Sequence, residues 1–214
     1  MRIALSLKSL VAGLLIAAGL AAQPAAASST YGFTRITNNA SQDISAQLSM
    51  TVTELAGDGA IFSFRNNVGI PSAVAQIYFD DSLGLLESMD LDSSSGSGVS
   101  FVQFASPSNL PGGATYAFSA DHSFGATKPA PHTGLNASSD WVSFVGYWAS
   151  ATTSFSSLLD AIAAGSFRTG MHVISIGESG NSDAYISAVP LPAAAWLFGS
   201  ALLGFITLSN RRRI

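Results

Sequence analysis

The chain has 214 residues, nine lysines and arginines against thirteen aspartates and glutamates, a net charge of −4 and no cysteine. Without cysteine it has neither a disulfide nor a lipoprotein anchor, so an exported fold has to be held by a packed core. Between Ser28 and Ser187 only Arg35, Arg65, Lys128 and Arg168 oppose all thirteen acids, a balance of −9 that argues against nucleic acid and anionic lipid as partners, because both need basic patches.

Arg2 and Lys8 give a positive start, and Ser9 to Leu20 is an apolar run of secretory-signal length. Ala25, Ala26 and Ala27 supply the small residues ahead of Ser28, so residues 1–27 read as a signal peptide cut after Ala27. The run is short for a membrane anchor. Residues 28–187, about 160 in number, suit one domain able to bury a core without covalent staples.

Within that domain the first clear element is Ser41 to Thr53. There Ile44, Ala46, Leu48, Met50 and Val52 alternate with polar residues, the period of a half-buried strand. Gly57-Asp58-Gly59 is a turn, Ala60 to Arg65 a second strand, and the two form a hairpin closed at Asn66 to Gly69. Ser72 to Phe79 and Val99 to Phe104 read as further strands. Asn109 to Gly113 is a turn, Thr115 to Ala120 a short strand, and His122 to Asn136 a loop. Trp141 to Trp148 is the most aromatic strand. One helix follows, capped by Thr153 or Ser154, with Phe155, Leu158, Leu159 and Ile162 at helical spacing and Gly165 as its stop. Arg168 to Ile176 returns as a strand, Gly177 to Asp183 is a polar turn, and Ala184 to Ser187 leads to the tail. Seven or more short strands separated by turn residues predict a mainly β domain, an antiparallel β-sandwich with one short helix. A signal helix precedes it and a transmembrane helix follows.

The last 26 residues, 189–214, have three parts in fixed order. Val189-Pro190-Leu191-Pro192 is a stiff, extended motif. About 191–208 is an uncharged apolar stretch, marginally long enough to span a bilayer. Arg211, Arg212 and Arg213 then hold the end in the cytoplasm as a membrane stop. This segment, 188–214, resembles the PEP-CTERM sorting signal of Gram-negative bacteria, in the variant that reads VPLPA, with Leu191 where the name-giving Glu would stand. The resemblance implies recognition by an exosortase, a membrane cysteine protease or transpeptidase, with removal of the helix near the motif. It also implies transient anchoring in the inner membrane and delivery to the cell surface or the exopolysaccharide matrix. Strings such as IYFDD and NLPGG look like those of small surface proteins sorted this way, a likeness that implies no activity.

No catalytic centre stands out. His122, His132 and His172 lack the close spacing of a zinc site. No Gly-x-Ser-x-Gly elbow occurs, and the adjacent Asp121-His122-Ser123 does not make a triad, which depends on side chains meeting in space. Asp80 and Asp81 end one strand, and Asp90 and Asp92 precede the loop Ser93 to Gly98. These four are the candidate ligands for calcium, which favours carboxylates and loop carbonyls, although aspartates also cap turns through backbone bonds. Trp141, Tyr147 and Trp148 are candidates for stacking on sugar rings, with core packing as the alternative. The expectation is a non-enzymatic structural or adhesive surface protein in a polysaccharide environment. A carbohydrate- or calcium-binding module, a secreted hydrolase and an unprocessed tail-anchored protein are the competing readings.

Overall fold

A computed structural model describes residues 26–95 and 98–188. The expected signal segment up to Ala25, the motif Val189 to Pro192, the span 191–208 and Arg211 to Arg213 lie outside the described residues. No helix among the described residues is long and apolar enough to cross a membrane.

Among the described residues eleven strands form two antiparallel sheets. In chain order they are β1 (Ser28–Tyr31), β2 (Phe33–Arg35), β3 (Leu48–Leu55), β4 (Gly59–Asn66), β5 (Ala73–Asp81) and β6 (Leu86–Ser94). Then come β7 (Phe101–Gln103), β8 (His122–Ala126), one helical turn α1 (Ala130–Thr133), β9 (Trp141–Trp148), helix α2 (Phe155–Ala164), β10 (Phe167–Ile176) and β11 (Asn181–Ser187). The first sheet has the order β1-β3-β4-β9-β6 and the second β2-β11-β10-β5-β8-β7. Gly32 alone separates β1 in one sheet from β2 in the other.

The sheets pack face to face because each strand's period of two turns one apolar row inward. Phe62 of β4 meets Phe79 of β5 edge to face at 5.4 Å, and Phe124 of β8 stacks on Phe144 of β9 at 4.1 Å. These contacts cross between the sheets and are the middle of one continuous core. A smaller apolar cluster lies on the far side of the second sheet, where the loop from Phe104 to Ala120 folds over Tyr78, Ala184 and Ile186. Leu110 and Phe118 fill that cover, and the Tyr78 hydroxyl donates to the Pro107 carbonyl at 2.9 Å. Burial pushes the Tyr78 phenol pKa up. Helix α2 carries the chain from the first sheet to the second and buries Phe155, Leu158, Ala161 and Ile162. Ser154 Oγ accepts from the Ser157 N–H, and Gly165 takes the left-handed cap at φ +74°.

The β3–β4 hairpin, β9 and α2 lie where the sequence predicts them. Four expectations are corrected. The strand expected from Ser41 begins at Leu48, because Asp43 accepts from the Ser45 N–H and hydroxyl and winds Ser45–Gln47 into a 3₁₀ turn. Thr115 to Ala120 is not a strand but the end of a second 3₁₀ turn, Gly113–Tyr116, and the cover that follows it. The supposed loop from His122 to Asn136 contains β8 and α1. Asp90 and Asp92 sit within β6, which runs to Ser94, so the loop that follows them starts at Ser95 rather than Ser93.

Candidate functional site

The four candidate calcium ligands are dispersed. Asp80, on the outer side of the second sheet, pairs with Arg168, whose guanidinium also donates to the Tyr116 and Ala117 carbonyls and lies over the Phe118 ring. That pair fastens the cover loop rather than facing solvent. Asp81 accepts from the Leu86 N–H at 2.8 Å through one oxygen, and its other oxygen is buried with no partner among the described residues. Asp90 accepts from Gln103 Nε2 at 3.0 Å, and Asp92 from the Ser143 hydroxyl at 2.8 Å. Among the described residues no three His, Asp or Glu side chains are placed to share a metal ion.

The aromatic candidates divide as alternation requires. Val142 and Phe144 point into the core, so Trp148 shares their side and packs against it, while Trp141 and Tyr147 lie on the outer face of the first sheet. Between those two rings a rung of hydroxyls crosses all five strands. Thr30, Thr51, Ser63, Ser143 and Ser93 are successive cross-strand partners. Thr30 and Thr51 hydrogen-bond at 3.1 Å, and Ser143 and Ser93 at 2.9 Å. Six residues of strand separate Trp141 from Tyr147 by about 20 Å.

A second feature escapes sequence reasoning. Where the edge strand β6 of the first sheet meets β7 and β8 of the second, a cleft of about 260 Å³ opens. Glu87 and Met89 line one wall, Asp121, His122 and Ser123 the other, and Gln103 and Phe104 the rim. Gln103 ties the two edges together, its Nε2 donating to the Met89 carbonyl at 2.7 Å and to Asp90. Phe104 is 85% exposed and sits at φ +66°. For a bulky L-residue the left-handed region costs roughly 1–2 kcal/mol. The strain is imposed from β8: the Phe104 N–H donates to the Ser123 carbonyl at 2.8 Å and the next N–H, of Ala105, to Ser123 Oγ at 3.1 Å. The sequence held one signal of this. Phe101 and Phe104 are three apart in the strand expected from Val99 to Phe104, where alternation cannot bury both on one face; β7 ends at Gln103, and Phe101 is the one in the core.

Asp121, His122 and Ser123 all border the cleft, yet they form no relay. Ser123 Oγ accepts from Ala105, Asp121 Oδ2 accepts from the Asp81 N–H at 2.7 Å, and strand alternation turns His122 to the side opposite Ser123.

His172 lies on β10 with Nδ1 against the Gln76 amide oxygen, and burial holds its imidazole below the usual pKa of 6.5, against the opposing pull of the Asp183 carboxylate. The unfolded chain therefore takes up the proton first. Stability from neutral His172 is complete above about pH 6.5 and is lost as the pH falls through the depressed folded value. His172→Gln is expected to flatten the fall of the urea midpoint just below about pH 6.5. An unchanged acid limb would assign that limb to the carboxylates.

No protein-family model matches the chain, and neither does any curated protein or solved structure.

Proposed function

We propose that the chain is an exported surface protein whose C-terminal segment is a sorting signal, recognised and removed by an exosortase-like membrane enzyme. The mature product is a non-enzymatic structural or adhesive domain held in exopolysaccharide. The observation that carries this reading is the order of the tail: Val189-Pro190-Leu191-Pro192, an uncharged apolar run, then Arg211 to Arg213. The fold is compatible with both cuts. β1 begins at Ser28, directly after the expected signal cleavage, and β11 ends at Ser187, two residues before the motif. All strand pairings among the described residues close between those limits, so neither cut removes a strand. The balance of −9 keeps such a domain soluble among acidic polymers without binding nucleic acid.

Intact mass of the protein recovered from the cell surface or medium tests the reading. Loss of residues 1–27 together with everything beyond about Val189 to Pro192 is the expected result. A mass that retains 193–214 would make the chain an inner-membrane tail anchor facing the periplasm instead.

A second reading, a carbohydrate-binding module, is favoured by the outer face of the first sheet. There the hydroxyl rung lies between Trp141 and Tyr147, two rings on one face of the strand.

A further inference from the structure

We propose that the cleft between β6 and the β7–β8 edge binds a single sugar ring of a neutral or amino-substituted polysaccharide, stacked on Phe104. Two costs fall on this one residue. Its ring stays in solvent although a buried aromatic is a major source of stability, and its backbone is held in the left-handed region that Phe avoids. Strain of this kind persists where surrounding bonds impose it, and Ser123 imposes it here from both its carbonyl and its hydroxyl. The result is an exposed ring on a firmly held backbone at the rim of a cleft.

The cleft's chemistry selects the ligand. Glu87 and Asp121 are exposed carboxylates and can only accept hydrogen bonds. Gln103 has its amide nitrogen committed to Met89 and Asp90, which leaves its oxygen as an acceptor. The two carboxylates and the Gln103 oxygen favour a ligand that brings donors, the Ser88 hydroxyl and His122 can donate or accept, and the Phe104 ring favours an apolar face. A pyranose has both, with hydroxyls at its edge and C–H groups on its face. An amino sugar adds a cation between two carboxylates, and a uronic acid adds a repelled anion. At about 260 Å³ the space is below the ~300–1,000 Å³ of sites for drug-sized ligands, which suits one ring with the polymer continuing outside. The inference deepens the carbohydrate reading and rests on it for the class of ligand. It does not depend on how the tail is processed.

The test is calorimetric titration of the full chain in a mild detergent with glucosamine tetrasaccharide, cellotetraose, galacturonic acid tetrasaccharide and an arginine-rich peptide. The glucosamine oligomer is expected to bind more tightly than cellotetraose, and the galacturonate not at all. Phe104→Gly is expected to weaken sugar binding by about tenfold or more without lowering Tm, since glycine adopts the left-handed backbone freely. Glu87→Gln is expected to abolish the preference for glucosamine while leaving cellotetraose binding in place. Trp141→Ala is expected to change neither. No sugar binding, binding of the peptide alone, equal binding of galacturonate, or full affinity in Phe104→Gly would each overturn the site. Loss of binding in Trp141→Ala but not in Phe104→Gly would move the ligand to the outer face of the first sheet. The sorting reading stands or falls on the intact mass, whichever of these results is obtained.

Discussion

Asp183→Ala is expected to lower stability by about 3–5 kcal/mol, the range for stripping one partner from a buried charged network. Asp183 lies on β11 with its side chain fully buried. One carboxylate oxygen accepts from the Thr37 hydroxyl at 2.7 Å and the Asn39 N–H at 2.8 Å. The other accepts from the Ala40 N–H at 3.0 Å and lies 3.5 Å from Arg35. Four groups thus converge on one side chain, Arg35 at the end of β2 and three from the segment after it, and alanine takes the acceptor from two backbone N–H donors and the Thr37 hydroxyl and the counter-charge from Arg35. Against a total stability of about 5–15 kcal/mol the loss is large, and for a domain of this size it amounts to a fall in Tm on the order of 10 °C. Asp183→Asn keeps one acceptor but turns an amide N–H toward a backbone donor, so its effect should lie between alanine and wild type. Arg35→Ala should cost least, since the hydrogen bonds to Thr37, Asn39 and Ala40 survive it. Hydrogen exchange at the Asn39 and Ala40 amides locates the effect: both should lose protection in Asp183→Ala, and only one of them in Asp183→Asn. Arg35→Ala matching Asp183→Ala would mean that the ion pair, not the backbone bonds, carries the energy.

The sequence reveals those parts of the fold whose cause is local. Gly57-Asp58-Gly59 marks the hairpin because the turn needs those residues; Gly57 sits at φ +84°. Ser154 and Gly165 bracket α2 because each satisfies the groups that the helix end leaves free. What stayed hidden is held from a distance. β1 and β2 are four and three residues long, with too few apolar positions to show a period, and they are strands because β3 and β11 pair with them. β6 is nine residues long, yet its register against β9 shifts between Leu86 and Ser88 and again between Leu91 and Ser93. Each irregularity breaks the period of two, so its aspartates look like loop residues. The site follows the same rule. Trp141 and Tyr147 share a face by counting along one strand. The cleft joins Glu87, Gln103 and Asp121 from edges of different sheets, and no local pattern brings those together.

Phe79→Ala is expected to cost about 3–5 kcal/mol, comparable to the loss at Asp183 but by a different mechanism. Phe79 is fully buried in β5, and five rings surround it. Phe62, Phe64 and Phe144 of the first sheet have centroids at 5.4, 5.7 and 6.0 Å, and Phe124 and Phe167 of the second lie at 6.2 and 6.5 Å. Most of these pairs are edge to face, the arrangement that sets a ring's positive rim against its neighbour's negative face. Alanine removes a ring from the contact between two sheets that have no disulfide to hold them together. The neighbours belong to different strands with fixed registers and cannot collapse fully into the gap, so a cavity cost adds to the lost burial. Phe79→Leu keeps much of the volume and should cost less than about 1.5 kcal/mol. The urea midpoint at unchanged slope measures both. The same variant also links core to cleft. Phe124 stacks on Phe144 in the core and contributes to the cleft lining, and both rings touch Phe79. Phe79→Ala should therefore weaken sugar binding as well as stability, whereas Phe104→Gly weakens binding alone. A Phe79→Ala protein with a full drop in midpoint but unaltered binding would show that the cleft is positioned by the edge strands and Gln103 without help from the aromatic core.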